Sequence, residues 1–289
     1  YISDNHPTIS GKNKKIENEV FSNIMNQELS IEKILGYNSS FSGSNNWVVS
    51  GARTKSGKPL LANDPHLGFT QPPRWYEMHL KGGRFNVSGL CLAGIPMPII
   101  GQNKHIAWGF TNSMVDDMDF FIETINPKNN NQYLYDGKWL DMKIITETIK
   151  LKNDRDTTIT IRLTHHGPII TDVHNLLKDE KSSMSMAWTG NWLTKEIDGL
   201  FGLATSKNWS DFSRAVQQFG VPGQNIVYAD DQGNIGWRPA VFIPIRKEGS
   251  SLIPRPGDNP SYDWSGRVPY KNMPFLLNPK KVKKKALKK

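Results

Sequence analysis

The sequence predicts an α+β protein rich in antiparallel strands, on three observations. Residues 157–163 alternate polar and apolar side chains, which places Ile159, Ile161 and Leu163 on one face of a strand. The turn sequence at 54–58, Thr-Lys-Ser-Gly-Lys, separates two apolar runs and is typical of a hairpin. Two stretches in the second half of the chain carry apolar residues at helical spacing.

The expected elements follow from these patterns in chain order. Two strands are predicted at Trp47–Ala52 and Pro59–Ala62. A third is predicted in the segment that contains Ile145, Ile149 and Leu151 and ends at Lys152. Further strands are predicted at 157–163 and 183–189, and a strand–turn–strand unit is predicted over 226–237. The helices are predicted over Ile197–Thr205 and from a cap at Asn208 or Ser210 to a stop at Gly220, with Trp209, Phe212, Val216 and Phe219 facing inward.

Composition limits the function classes. The chain has 289 residues, 37% of them apolar and 22% charged, which is enough for one or two domains with a sizeable core. No run of about 18 apolar residues is present, so no membrane span is expected. The single cysteine, Cys91, excludes an internal disulfide and is expected to be a buried small hydrophobe.

The net charge of +9 lies mostly in a terminal tail. Residues 280–289 contain seven lysines, so the rest of the chain carries only +2. A lysine-rich tail binds phosphates nonspecifically. Because a nonenzymatic basic binding module would rest on this tail alone, it is the weakest of three hypotheses for the function. No specific nucleic-acid partner is expected.

The segment Gly43–Val48, Gly-Ser-Asn-Asn-Trp-Val, can make Ser44 both a nucleophile and a new N-terminus. A serine hydroxyl needs a base to accept its proton. If the bond before Ser44 is cut, the freed α-amine, with an ordinary pKa of roughly 7.7–8.0, lies on the same residue and can be that base. The alternative interpretation of this motif alone is an ordinary loop serine.

Further motifs follow in a fixed order, and together they resemble the penicillin acylase family of N-terminal-nucleophile hydrolases. Counting Ser44 as the first residue of a mature β chain, His66 of an NDPHLG segment is the twenty-third. The resemblance runs from about Ser42 to Lys280. It is carried by the segments 63–68 (NDPHLG), 101–109 (GQNKHIAWG), 116–119 (DDMD), 166–168 (HGP), 223–236 (GQN, YAD and GNIG), 244–246 (PIR) and 263–266 (DWSG).

The resemblance implies a four-layer αββα fold with antiparallel sheets, incomplete at both ends. On that basis residues 1–43 are interpreted as the remnant of an α chain and a processing loop, 44–279 as part of the hydrolase β chain, and 280–289 as the lysine-rich tail. The implied activity is removal of an acyl group from an amine, such as a β-lactam nucleus or an N-acyl homoserine lactone, through an acyl-enzyme on Ser44. The alternative is a catalytically inactive truncated acylase fragment.

The resemblance also implies the roles of individual residues. Ser44 is the expected nucleophile, and His66 is expected to orient its amine and hydroxyl. The oxyanion donors are expected to be the backbone N–H of Asn112 and the side-chain amide of Asn225, and Arg246 to orient that asparagine or the substrate. Each has a structural alternative: a turn histidine, a turn asparagine, an ordinary ion pair.

No cofactor is expected for the chemistry, but some relatives hold a structural calcium. The matching carboxylates are Asp116, Asp119 and Asp230, and surface acids or caps are the alternative. The pair His165-His166 is not accompanied in the sequence by further ligands at zinc spacing, so a structural role is expected for it.

The expected partners are a small N-acyl substrate and the α and β pieces of the chain's own precursor. Relatives are commonly exported, which implies a periplasmic or secreted enzyme. The first residues of the sequence are polar, so no signal peptide is expected among them.

Overall fold

The structure is a computed structural model that describes residues 43–67, 71–152, 154–172 and 182–280. It is an α+β protein whose strands are almost all antiparallel, as the sequence predicts. The expectations for the remnant before residue 43 and for the lysine-rich tail beyond residue 280 lie outside the described residues. No helix among the described residues is long and apolar enough to cross a membrane.

Nineteen strands are present in the described part of the chain. The first ten are β1 Gly43–Val49, β2 Leu60–His66, β3 Trp75–Gly82, β4 Phe85–Leu92, β5 Ile100–Asn103, β6 Ile106–Asn112, β7 Met118–Glu123, β8 Ile125–Asn126, β9 Asn129–Tyr135 and β10 Lys138–Asp141. The others are β11 Lys143–Ile149, β12 Thr157–Leu163, β13 Ser183–Trp188, β14 Gln224–Asp230, β15 Ile235–Ala240, β16 Pro244–Arg246, β17 Arg255–Pro256, β18 Trp264–Arg267 and β19 Leu276–Leu277.

There are two α-helices in the described residues, α1 Glu196–Thr205 and α2 Trp209–Val216. Helix α1 matches its predicted bounds within one residue, and α2 begins after the predicted cap but ends at Val216, before the predicted stop at Gly220. Helix α2 begins where the side chain of Asn208 accepts a hydrogen bond from the Asp211 N–H at 3.0 Å, which satisfies an otherwise unpaired helical donor. The two helices pack closely because α1 has glycines on its inner face. A Cβ atom added at Gly202 would lie 2.8 Å from Cβ of Ala215 in α2.

The chain divides into two compact units. The first, called here the sheet unit, contains the described residues of Ser40–Asp117, Thr189–Pro244 and Gly266–Lys289. Its seven-stranded sheet has the order β19-β15-β14-β6-β5-β4-β3, and β1 and β2 form a separate hairpin that packs on β6 and β14.

Helices and hairpin cover opposite faces of this sheet. Trp108, Phe110 and Tyr228 point from β6 and β14 into the core that the helices close. A Cβ atom at the intervening Gly109 would instead lie 2.8 Å from Oδ1 of Asn63 in the hairpin. Since side chains alternate along a strand, the layers of this unit are helices, sheet and hairpin. Cys91 is fully buried, as predicted, and burial raises the pKa of its thiol.

The second unit, called here the strand unit, contains the described residues of Met118–Trp188 and Ile245–Ser265. Its sheets are β13-β7-β17, β10-β9-β8 and the hairpin β11-β12, while β16 and β18 form a two-stranded sheet at its boundary. Strand β12 covers the residues predicted from alternation, and β11 is its partner. The buried residues Met142 and Ile169 form part of its core together with Tyr133.

Candidate active site

Ser44 is the second residue of β1, on the face of the hairpin that covers the sheet. The register pairs Gly43 with His66, Ser44 with Pro65 and Asn46 with Asn63. Directly paired residues of an antiparallel hairpin point to the same face, and successive residues point to opposite faces. Ser44 therefore shares its face with Asn46 and Asn63, both of which bond to the sheet.

Asn63 ties the hairpin to β6 with both ends of its amide. Its Nδ2 donates to the carbonyl of Phe110 at 2.9 Å and to the carbonyl of Asn45 at 2.9 Å. Its Oδ1 accepts from the N–H of Phe110 at 2.6 Å. The sequence analysis assigned Asn63 no role, although it begins the NDPH segment and could have been found there.

Asn46 makes a second link between the nucleophile strand and the sheet. Its Nδ2 lies 3.3 Å from the carbonyl oxygen of Asn225 and 3.4 Å from that of Gly109. Sequence reasoning also missed this residue, two positions after Ser44. The two asparagines together hold the inner face of β1 against the strands that carry the predicted oxyanion donors.

The structure brings the two predicted oxyanion donors together. Nδ2 of Asn225 donates to the backbone carbonyl of Asn112 at 3.2 Å, and Oδ1 of Asn225 accepts from Nε1 of Trp237 at 3.1 Å. Trp237 thereby fixes which end of the Asn225 amide is directed at residue 112. The Asn112 side chain accepts a hydrogen bond from Gln224 at 3.0 Å.

The direction of the Asn112 N–H follows from the strand register. Ser113 donates its N–H to the carbonyl of Gly223 at 3.0 Å, and Asn112 is paired with Gln224. Hydrogen-bonded and non-hydrogen-bonded pairs alternate in antiparallel strands, so Asn112 and Gln224 form a non-hydrogen-bonded pair. The Asn112 N–H is thus directed away from β14.

His66 lies opposite Gly43, on the face of the hairpin away from Ser44. A Cβ atom added at Gly43 would lie 3.7 Å from Nδ1 of His66, while Nε2 of His66 lies 2.7 Å from Oδ2 of Asp64. In the uncut chain the imidazole is therefore next to the Gly43 residue whose peptide bond would be cut. Strand alternation directs it away from the Ser44 hydroxyl.

Arg246 belongs to the strand unit, where it pairs with an acid that the sequence analysis assigned to calcium. Its Nε donates to Oδ2 of Asp119 at 2.8 Å, and the same oxygen lies 2.5 Å from Nε1 of Trp264 and 3.6 Å from Nη1 of Arg255. Asp119 is only 3% exposed. The arginines neutralise this buried carboxylate, so Arg246 takes part in a buried ion pair, whereas the alternative to its predicted role was an ordinary surface ion pair.

The other two predicted calcium ligands have different surroundings. Both oxygens of Asp230 accept hydrogen bonds within the turn between β14 and β15, from the Tyr228 hydroxyl, the Asn234 side chain and the N–H groups of residues 232 and 234. Asp116 is exposed. A calcium ion at Asp230 would have to displace these donors, whereas Oδ1 of Asp119 accepts no hydrogen bond from the described residues. The calcium site stays a prediction on which no chemistry below depends.

The sheet unit thus combines a serine after glycine, two amide-type donors and a scaffold that fixes them. A hydroxyl at position 44 can attack a carbonyl group, and donors near Asn112 can stabilise the negative charge that develops on its oxygen. A nucleophile and oxyanion donors of this kind are two of the elements of acyl-transfer chemistry.

Known proteins share this sequence and fold. A model of the penicillin amidase family matches residues 6–282. The acyl-homoserine lactone acylase QuiP of Pseudomonas aeruginosa is 34% identical over 232 residues, which cover 77% of this chain and 27% of that protein. The penicillin G acylase of Escherichia coli is 31% identical over 240 residues, which cover 82% of this chain and 27% of that protein.

The solved structures give the same result. The thermostable penicillin G acylase from Alcaligenes faecalis superimposes with a TM-score of 0.73 and 28% sequence identity, over 81% of this chain and 42% of that one. The predicted resemblance and fold are therefore confirmed. The chain spans about a quarter of the length of the relatives from Pseudomonas aeruginosa and Escherichia coli.

Proposed function

Because the chain belongs to the penicillin amidase family, we propose that it is part of an amide hydrolase that removes an acyl group from an amine. Ser44 would be its nucleophile, exposed by cleavage of the Gly43–Ser44 bond. The observation that carries the proposal is the convergence of Asn225 on Asn112 beneath the hairpin face that bears Ser44.

The first step is self-cleavage. The Ser44 hydroxyl attacks the Gly43 carbonyl, the peptide C–N bond breaks, and the acyl group moves to oxygen as an ester that water hydrolyses. The proton lost by the hydroxyl goes to the departing nitrogen, which becomes the free α-amine. Gly43 has no side chain to obstruct this attack, and His66 lies beside it as a group able to relay protons.

The second step uses the α-amine of Ser44 as the base. It accepts the hydroxyl proton as Ser44 attacks the substrate amide, and it returns that proton to the amine that leaves. Water then attacks the acyl-enzyme and releases the acid. Near neutral pH an ordinary α-amine, with a pKa of roughly 7.7–8.0, is partly unprotonated and able to act in this way.

Asn225 and Asn112 would stabilise the tetrahedral intermediates. A carboxamide nitrogen carries two N–H groups. One can keep the bond to the Asn112 carbonyl while the other, together with the Asn112 N–H, donates to the oxyanion. Trp237 holds the oxygen end of the amide in place, so the donor end is oriented before substrate arrives.

The substrate class proposed here follows the names of the relatives. Penicillins and N-acyl homoserine lactones both present a secondary amide between an acyl chain and a compact ring, and either would meet the mechanism. The α and β pieces of the chain's own precursor would be the protein partners, and a periplasmic or secreted location stays a prediction.

The test starts from the purified chain, run on a denaturing gel and weighed by intact-mass spectrometry. We expect a cut between Gly43 and Ser44, absent in Ser44→Ala and present in the control Ser50→Ala, which changes a serine outside β1. A panel of penicillins and N-acyl homoserine lactones then reports turnover. Cleavage or turnover that persists in Ser44→Ala would refute the mechanism.

A further inference from the structure

A compact group of two histidines and one aspartate lies in the strand unit, outside the residues used above. Nε2 of His166 lies 3.1 Å from Oδ1 of Asp263, and Nε2 of His165 lies 3.7 Å from the same oxygen. Ligand atoms of all three residues lie within 4.8 Å of one another. The group brings together the neighbours His165 and His166 with a carboxylate about a hundred residues later in the chain.

These spacings match a tetrahedral metal centre. Zinc binds histidine nitrogen at about 2.0–2.1 Å and carboxylate oxygen at about 2.0–2.2 Å, so two ligand atoms on a tetrahedron lie roughly 3.3–3.5 Å apart. The two distances to Oδ1 of Asp263 lie on either side of that value. Small side-chain shifts would bring all three ligands into range.

Each candidate ligand is also held from behind by a second polar group. Nδ1 of His166 lies 2.9 Å from Oε1 of Glu123, and Nδ1 of His165 lies 3.0 Å from the Tyr133 hydroxyl. On the third ligand, the Tyr135 hydroxyl donates to Oδ2 of Asp263 at 2.5 Å. Metal-binding histidines characteristically use their other ring nitrogen in this way, which fixes the tautomer and orients the ring.

The group behind His166 is itself rigid. Glu123 is buried, and its Oε1 also accepts hydrogen bonds from Thr164 at 2.8 Å and Ser185 at 2.7 Å. The ring of Phe121 stacks on His166 with centroids 3.7 Å apart. The imidazole therefore has little freedom, and its Nε2 stays directed at Asp263.

The cluster is partly exposed, mainly at His165. The side chain of His166 is 4% exposed, that of Asp263 17% and that of His165 34%. An ion held here would keep one coordination position toward solvent.

We propose that His165, His166 and Asp263 bind a divalent transition-metal ion of the zinc class, with water as the fourth ligand. Imidazole nitrogen and carboxylate oxygen are ligands that zinc accepts, and three protein ligands plus water form its open type of site. This site is distinct from the calcium expectation and plays no part in the amide chemistry proposed above. When the metal ion binds, any proton that Nε2 of His166 shares with Asp263 is released to solvent.

The test uses the full, untagged chain in the Ser44→Ala background, freed of metal with a chelator. Zn²⁺ alone is titrated by calorimetry, bound metal is counted by mass spectrometry, and Co²⁺ substitution reports tetrahedral geometry through its visible absorption. We expect one tight ion per chain. His165→Ala should weaken binding by at least about 100-fold. Tyr133→Phe, which removes the hydroxyl that contacts both Nδ1 and the backbone N–H of His165, should weaken it by roughly 10–100-fold.

The matched control is His105→Ala, because the His105 side chain is also 34% exposed and also has a carboxylate neighbour, Asp231 at 3.2 Å. It should leave affinity unchanged. If His166 merely bridges Glu123 and Asp263 as a structural cation, no tight ion will bind, and the proposal is wrong. Equal losses in His165→Ala and His105→Ala would overturn it as well.

Discussion

Replacing Asn63 with alanine should destabilise the sheet unit strongly, because one side chain satisfies both backbone groups of Phe110. Asn63→Ala removes the donor to the Phe110 carbonyl and the acceptor for its N–H, and Phe110 is 7% exposed. A buried polar group left without a partner costs about 1–3 kcal/mol. Two such groups predict a loss of about 2–6 kcal/mol, and the third bond, to the exposed Asn45, adds little.

The measurement is urea unfolding, made in the Ser44→Ala background so that every chain is uncut. A loss of about 2–6 kcal/mol is a large part of the roughly 5–15 kcal/mol that a domain of ordinary stability has. Hydrogen exchange gives a local readout, because the Phe110 amide is the donor that loses its acceptor. The peptide that contains Phe110 should exchange its amide hydrogens faster than in the parent, whereas the exchange rate of a peptide from the strand unit should stay the same.

The control is Asn86→Ala, which removes an exposed asparagine whose Oδ1 lies 2.9 Å from Nε2 of His79 on the surface of the same unit. Its unfolding free energy should stay within about 0.5 kcal/mol of the parent. If Asn63→Ala also stays within that range, with Phe110 exchange unchanged, the reasoning that the hairpin is pinned through Asn63 is refuted.

Two further predictions concern Asn225 and Tyr228. On cleaved protein, Asn225→Ala should lower kcat by about 10²–10³ through loss of an oxyanion donor, and unchanged kcat would remove that role. Burial, then the hydrogen bond to Asp230, raise the pKa of Tyr228, so the folded state keeps a proton that the unfolded state loses above about pH 10. This stabilisation is present below that pH and declines above it, by up to about 1.4 kcal/mol per pH unit. Tyr228→Phe should therefore show a shallower alkaline loss of unfolding free energy between pH 9 and 11, and identical slopes would contradict the assignment.

Elements built on local patterns were predictable from the sequence. Alternation defined the strand Thr157–Leu163, and the apolar stripe with an Asn208 cap defined the helix Trp209–Val216. The first hairpin was predicted in kind, but its strands extend to Gly43 and His66, beyond the apolar residues. The polar residues Asn46 and Asn63 of these strands bond to the sheet, and apolar periodicity carries no signal for such bonds.

Side-chain partners distant in sequence were not predictable. Asp119 was grouped with other acids by its motif, yet its carboxylate lies against Arg246 and Arg255, more than a hundred residues later. His165 and His166 had no further ligand at zinc spacing, and the fold supplies Asp263. In both cases the partner is determined by which strands become neighbours in the fold. The spacing of residues along the sequence does not predict that.

The register of the hairpin connects stability to chemistry. A slip of one residue in β1 would turn Ser44 to the outer face and bring Gly43 to the sheet, because side chains alternate with a period of two. Asn63 and Asn46 oppose that slip, since only on the inner face can their amides reach Phe110 and Asn225. The asparagines near the predicted nucleophile therefore matter for the chemistry without a catalytic role of their own, because they determine which face of the strand the serine occupies.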